Sequence, residues 1–130
     1  RNTKWGIGNR SCGFRIPSNE ENSMRIENRI SGSDTNPYLI FAANLAAGYL
    51  GMKNKIKPTA ETKKSVFGQK KSSLPKNMEE GIALFEKNQK INEVFNQKLV
   101  RTISAIRRVE NQAYLKVISS WEREYLLLNV

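Results

Sequence analysis

The chain has 130 residues, 38% hydrophobic and 26% charged, which excludes a disordered or fibrous protein and fits one domain or part of one. It has no histidine and a single cysteine, Cys12. Within this chain that excludes a Ser-His-Asp triad, a histidine base, a histidine-ligated metal, a cysteine metal cluster and an internal disulfide, so any metal would take oxygen ligands. The formal net charge of +10 points to an anionic partner (nucleic acid, a membrane surface or phosphorylated small molecules) or to a larger protein whose remainder holds the compensating acid.

The first residue is Arg1, and RNTKWGIGNR lacks the apolar run of a signal or transit peptide; the sequence reads as a piece of a longer chain, with a processed N-terminus as the alternative. Residues 1–10 read as irregular, punctuated by Gly6 and Gly8, with WGIG a plain turn. Ser11–Ile16 alternates: Cys12, Phe14 and Ile16 form an apolar face opposite Ser11, Gly13 and Arg15, and Pro17 ends the run. After the polar connector SNEENS, MRIENRIS alternates again, with Ile26, Asn28 and Ile30 on one side and Arg25, Glu27 and Arg29 on the other. The connector is too short for a crossover helix, which predicts an antiparallel pair of strands. Arg15 then shares a face with Arg25, Glu27 and Arg29, and the isoleucine face is core.

Gly32–Asn36 is a loop. Asn36 before Pro37 is an N-cap followed by proline at the first helical position. YLIFAANLAAGYLGM is apolar all round but runs only about 15 residues and is broken by Asn44, short of the ~20 that span a bilayer. It is expected to be a buried core helix. KPTAETKKSVFGQKKSSLP is a long lysine-rich loop. Asn77 with Glu80 resembles a capping box and starts a helix that reaches about Asn88. A longer amphipathic helix is predicted from about Ile91 to Ser119, its stripe formed by Phe95, Leu99, Ile103, Ile106, Ala113 and Val117. The aromatic end, SWEREYLLLNV, is expected to dock on the body.

The candidate chemistry lies on the charged strand face. Arg10, Arg15, Arg25 and Arg29 surround a single carboxylate, Glu27, within 20 residues. Guanidinium groups bind phosphate or carboxylate with paired donors, and a lone carboxylate among them can ligate Mg²⁺ or Mn²⁺ if other oxygens are supplied. Such a set suits phosphoryl transfer. A solvated face of Arg–Glu cross-strand pairs explains the same pattern, and both readings stay open from spacing alone. The lysines from Lys63 to Lys71 could meet nucleic acid or acidic lipid, but Phe67 is the only aromatic among them, so a base-stacking platform is poorly supported. Cys12 is read as a buried, inert thiol.

NRSCGFRIP followed by MRIENRISGSDTNPYLIFAANLAAGYLGMKNKIKP resembles the C-terminal part of the glutamine synthetase family, with the motifs NRS, RIP, RIENR, NPY and GMKNKI in the family's order. LPKNMEEGIALF and VISSWEREYLLLNV extend the likeness to the end. WGIGNR, ENRISGSDTNPY and WEREYLLLNV are closest to the glutamate–amine ligase branch that includes γ-glutamylputrescine synthetase. The full proteins are about three times longer.

The resemblance implies an α+β fold, an antiparallel sheet backed by helices, here a β-hairpin followed mostly by helices. Residues 1–31 would be strands with active-site residues, 36–56 the core helix, 57–76 the lysine-rich loop and 77–130 the C-terminal helices, all within one catalytic domain. The implied reaction phosphorylates the γ-carboxylate of L-glutamate with ATP and lets ammonia or a small amine displace phosphate, with Mg²⁺ or Mn²⁺ assisting. Glu27 matches the metal-binding glutamate. Arg29 matches the arginine that contacts glutamate and the transferring phosphoryl group, Arg10 one shared by glutamate and ATP, and Arg15 one directed at nucleotide phosphates; Arg25 matches no clear role. The connector SNEEN departs from the family in lacking a basic residue. Phe67 stands where adenylylated members carry tyrosine, so no such control is expected. The resemblance further implies a cytoplasmic homo-oligomer of stacked rings with no nucleic-acid or membrane partner, and a piece that is inactive alone. A basic nucleic-acid-binding module and a catalytically dead structural relative are the alternatives.

Overall fold

The computed structural model describes residues 2–17, 20–68 and 74–127. The chain divides into two compact units, Arg1–Leu74 and Pro75–Val130. Ser18 and Asn19 of the polar connector, Lys70 and Lys71 of the lysine loop, and the last three residues of the tail lie outside the described residues.

In the first unit a small mixed sheet forms from β1 (Trp5–Ile7), β2 (Phe14–Ile16) and β3 (Glu27–Asn28), in that order. The predicted antiparallel pair is β2–β3, with Phe14 opposite Asn28 and Arg15 opposite Glu27. It is shorter than the alternating pattern, because the run that follows η-turn Glu21–Ser23 pairs only over two residues. β1 is a strand where a turn was expected, and it pairs with β2 in parallel, Gly6 beside Arg15. Parallel neighbours ordinarily need a long crossover. Strands of three residues need a return of only about 10 Å, which residues 8–13 supply, aided by the left-handed Gly8 at φ 62°. The outer edge of β1 is taken by the loop that follows the first helix: Thr62 N donates to Trp5 O at 2.9 Å, and Ile7 N donates to Glu61 Oε1 at 3.4 Å. Trp5 Nε1 donates to Thr59 O at 2.8 Å, and Asn9 Nδ2 donates to Thr62 O at 2.7 Å. Cys12 is buried, as expected.

Helix α1 (Pro37–Lys53) starts where the cap chemistry places it, with Asn36 Oδ1 accepting from Tyr38 N and Leu39 N. Its burial was not as expected. No residue of α1 is buried, and Tyr38 (83%) and Leu45 (76%) are among its exposed side chains. A helix apolar all round needs cover on every side, and within this unit the three short strands face only one side of it. Ile26 is likewise 73% exposed, so the isoleucine face of β3 is not closed core. At the C-terminus, Ile56 N donates to Gly51 O at 2.9 Å and Lys55 N to Met52 O at 3.1 Å, which places Lys55 in the left-handed region at φ 49°. This is the position that favours glycine. Lys55→Gly is expected to stabilise the unit by about 0.5–1 kcal/mol, read as a higher denaturation midpoint at unchanged slope.

The second unit contains α2 (Met78–Lys87), α3 (Gln89–Val94), α4 (Gln97–Tyr114) and α5 (Ser120–Tyr125). Asn77 caps α2 by accepting from Glu80 N at 2.8 Å, while Glu80 Oε2 accepts from Lys76 N rather than from the cap residue. The single long helix predicted from Ile91 is broken. Asn88 caps α3 and Asn96 caps α4, each accepting from the backbone N–H three residues on. The new start turns α4 so that Val100 and Ser104 are buried against α2, beside Ile82, whereas Leu99 and Ile106 stay exposed. Arg108 extends the same row and grips Glu86 with two bonds of 2.8 and 2.7 Å. This bond and the charge of Arg108 hold the Glu86 carboxyl below its usual range, against the opposing effect of partial burial. Ser104, 1% exposed, adds a smaller lowering of the same carboxyl, its Oγ standing outside close hydrogen-bond geometry. The described residues of the tail, up to Leu127, are exposed: α5 has no buried residue, and Trp121 stacks on its own neighbour Tyr125 at 5.4 Å. Ser119 and Glu122 close a capping box around its start.

Candidate functional site

The two faces of the small sheet differ completely in chemistry. Phe14 and Ile16 of β2, with Trp5, Ile26 and Asn28, face a groove of about 820 Å³ whose other wall is Ile40, Phe41, Asn44 and Ala47 of α1. Arg15 and Glu27, which are register partners, stand together on the opposite face.

Glu27 is the centre of that face. Arg15 Nη1 reaches both of its oxygens, at 3.0 and 3.3 Å. Arg25 Nη2 is 3.4 Å from Oε1, and Arg29 Nη1 is 3.9 Å from Oε2. The expected alternation thus brings four of the five charged residues together, including Arg25, to which no role was given. Arg10 is not among them. It lies on the exposed turn after β1, where the two-residue period of a strand does not carry over, and it forms no ion pair with Glu27. The strand segment is held from behind by Arg29 N donating to Gly13 O at 2.8 Å.

The hydrogen bond from Arg15 holds the Glu27 carboxyl below its usual range; partial burial opposes this, and the charges of Arg15, Arg25 and Arg29 reinforce it. Because the folded value lies below the unfolded one, the stability gained from the cluster is complete above the ordinary carboxylate range. It is lost as pH falls through the lowered value. The wild type should therefore lose stability below the ordinary value of 4.5 over a window that Glu27→Gln does not show; thermal melts across an acid series would measure it.

Three arginines around one carboxylate leave a local charge of +2. Arg15, only 18% exposed, has its Nε buried without an acceptor among the described residues. The residual charge calls for an anion, and guanidinium groups suit oxyanions, so the face fits a phosphate or carboxylate group. For a divalent cation the fit is partial. Glu27 is ionised and accessible and suits one oxygen-ligand position, but no three His, Cys, Asp or Glu side chains meet among the described residues. The other ligands would come from outside this chain. No described helix is long and apolar enough to cross a membrane.

The family model described as glutamine synthetase, catalytic domain, matches residues 1–126. A glutamate–isopropylamine ligase of a Pseudomonas species is 30% identical over 128 residues, covering 93% of this chain and 27% of that protein. The γ-glutamylputrescine synthetase of Escherichia coli K12 is 26% identical over 125 residues, 96% of this chain and 26% of that protein. Among solved structures the GmaS/ADP complex superposes with a TM-score of 0.81 at 24% identity, over 97% of this chain and 29% of that one, a likeness of fold. The chain therefore spans little more than a quarter of the length of these relatives. The α+β class stands, with the addition that β1 makes the sheet mixed. With residues 1–126 matched and a glutamate–amine ligase at 30% identity, the chain belongs to the glutamine synthetase family, of which it carries part of the catalytic domain.

Proposed function

We propose that this chain is the part of an ATP-dependent glutamate–amine or glutamate–ammonia ligase that supplies the charged floor of the phosphoryl-transfer site. The observation that carries the proposal is Glu27 held by Arg15, Arg25 and Arg29 on one strand face, within the family's catalytic domain. Arg15, held on Glu27 through Nη1, directs its charge at a nucleotide phosphate. Arg29, tied loosely to Glu27 at 3.9 Å and half in solvent, is free to turn its donors onto the γ-carboxylate of glutamate and the group being transferred. Arg10, outside the cluster, would join glutamate and ATP by a change of side-chain conformation. Glu27 would hold one position of a Mg²⁺ or Mn²⁺ ion, which, when bound, supplies charge neutralisation of the phosphates. Fixed charge aimed at a developing phosphoryl charge is the largest contribution such a site makes.

The reading is tested by phosphate release from ATP in the intact protein, with glutamate and a panel of amines that includes ammonia, isopropylamine and putrescine. Release that needs both glutamate and an amine supports it; release with neither, or none under any combination, overturns it. The 130-residue chain alone is expected to show no glutamate-dependent release, because Glu27 is a single ligand without the rest of a metal site.

A further inference from the structure

A pair of amides, Asn28 and Asn44, bridges the apolar back of the sheet directly behind the charged residues. Asn28 lies between Glu27 and Arg29 in the chain and alternates to the groove side. Its Nδ2 donates to Asn44 Oδ1 on α1 at 3.0 Å, and its Oδ1 accepts from Ile30 N at 2.9 Å. Asn44 Nδ2 in turn donates to Ile40 O at 2.7 Å. Two side chains thus join the backbone of α1 to the backbone immediately after Arg29. Around them the groove is lined mainly by apolar side chains, Phe14, Ile16, Ile26, Phe41 and Ala47, and the bond between the two amides is open to solvent on one side. β3 needs such a link. It is two residues long and holds its register to β2 through the pairs Phe14–Asn28 and Arg15–Glu27 alone, with the adjoining bond from Arg29 N to Gly13 O. A ladder that short leaves the tilt of its side chains poorly fixed, while a side-chain network whose members satisfy one another removes that freedom.

We propose that the Asn28–Asn44 amide pair is a positioning device: it locks the strand segment carrying Glu27 and Arg29 against α1 and so sets where the carboxylate and guanidinium stand over the anion. What Glu27 and Arg29 do once placed rests on the ligase reading above; how they are held rests on the hydrogen bonds. Asn44→Leu removes both bonds of Asn44 in a shape the apolar groove accepts. Asn28→Ala removes the other end, and Asn44→Asp keeps the acceptor for Asn28 Nδ2.

In the intact protein, hydrogen exchange at the Arg29 and Ile30 amides is expected to quicken at least about tenfold in Asn44→Leu while the melting temperature shifts by no more than a few degrees. Each single loss should lower kcat about ten- to a hundredfold, with a higher Mg²⁺ concentration at half-maximal rate, since displacement of a catalytic constellation by about an ångström has effects of that size. Asn44→Asp should recover most of the loss. Because the two residues act as one unit, the double variant should be no worse than either single one. Unchanged exchange in Asn44→Leu, or losses that multiply in the double variant, would overturn the proposal. If the wild type shows no glutamate-dependent turnover, the ligase reading fails while the exchange measurement still decides whether the pair fixes the strand.

Discussion

Glu27→Gln is expected to reduce glutamate-dependent turnover of the intact protein by about a hundredfold or more, on the scale of losing one preorganised charged group from a phosphoryl-transfer site. The replacement keeps the shape of the side chain and an oxygen that can accept from Arg15 Nη1, so the strand pairing of Arg15 and Glu27 should survive. What disappears is the negative charge. The local sum rises from +2 to +3 as the three arginines keep theirs, and a neutral amide is a far weaker ligand for Mg²⁺ than a carboxylate. The loss should appear in kcat and in the metal concentration needed for half-maximal rate. Glu27→Asp keeps the charge but draws it back by one methylene, and should fall between wild type and Glu27→Gln. A rate within about threefold of wild type in Glu27→Gln would mean that Glu27 serves only as an exposed cross-strand ion pair, whose worth is ordinarily small.

The second large effect is structural. Gly13→Ala is expected to destabilise the first unit by about 3–5 kcal/mol, enough to abolish the sheet in a marginal domain. A Cβ at residue 13 would collide with the backbone oxygen of Asn2 and lie 3.0 Å from Ile30 Cγ1. The backbone there cannot step aside, because Gly13 O accepts from Arg29 N at 2.8 Å and the next residue, Phe14, donates to Lys4 O at 3.0 Å. The substitution therefore pushes apart the residues flanking the strands that carry Arg15, Glu27 and Arg29. Gly51→Ala is the matched control. No atom lies within 4 Å of the added Cβ, and the position is inside α1, so it should stabilise by about 0.5–1 kcal/mol. Chemical denaturation of the two variants side by side would separate steric conflict from a general intolerance of change at glycine.

What the sequence made legible was what depends on neighbours in the chain. The cap Asn36 with Pro37, the start of α2 at Asn77 and the alternation of Arg25, Glu27 and Arg29 are local, and the structure shows each. The features that escaped depend on distant packing or on signals too short to register. β1 spans three residues with a glycine at its centre, too few for a periodic pattern. The break between α3 and α4 is signalled by Asn96, a good N-cap, but the stripe that starts at Ile91 runs straight through it, and the buried row is turned from that stripe by one residue. The exposure of α1 and of the tail reflects what covers them, which is no property of their own residues. Asn28 and Asn44 are the most instructive. Each interrupts an otherwise apolar pattern, and each looks like a blemish until the fold shows them bonded to one another.

The way the loop at Thr59–Thr62 fastens along β1 has a consequence for assembly. With Trp5 O and Ile7 N already engaged, the sheet is sealed on that flank. The opposite margin, β3, is the side from which a larger sheet could grow, and an incoming strand would have to tolerate Arg25 and Arg29 at either end of a two-residue landing strip. Charge at an unpaired border deters indiscriminate strand addition, so the same arginines offered to a phosphate would also act as gatekeepers that admit a matching strand and turn away stray copies.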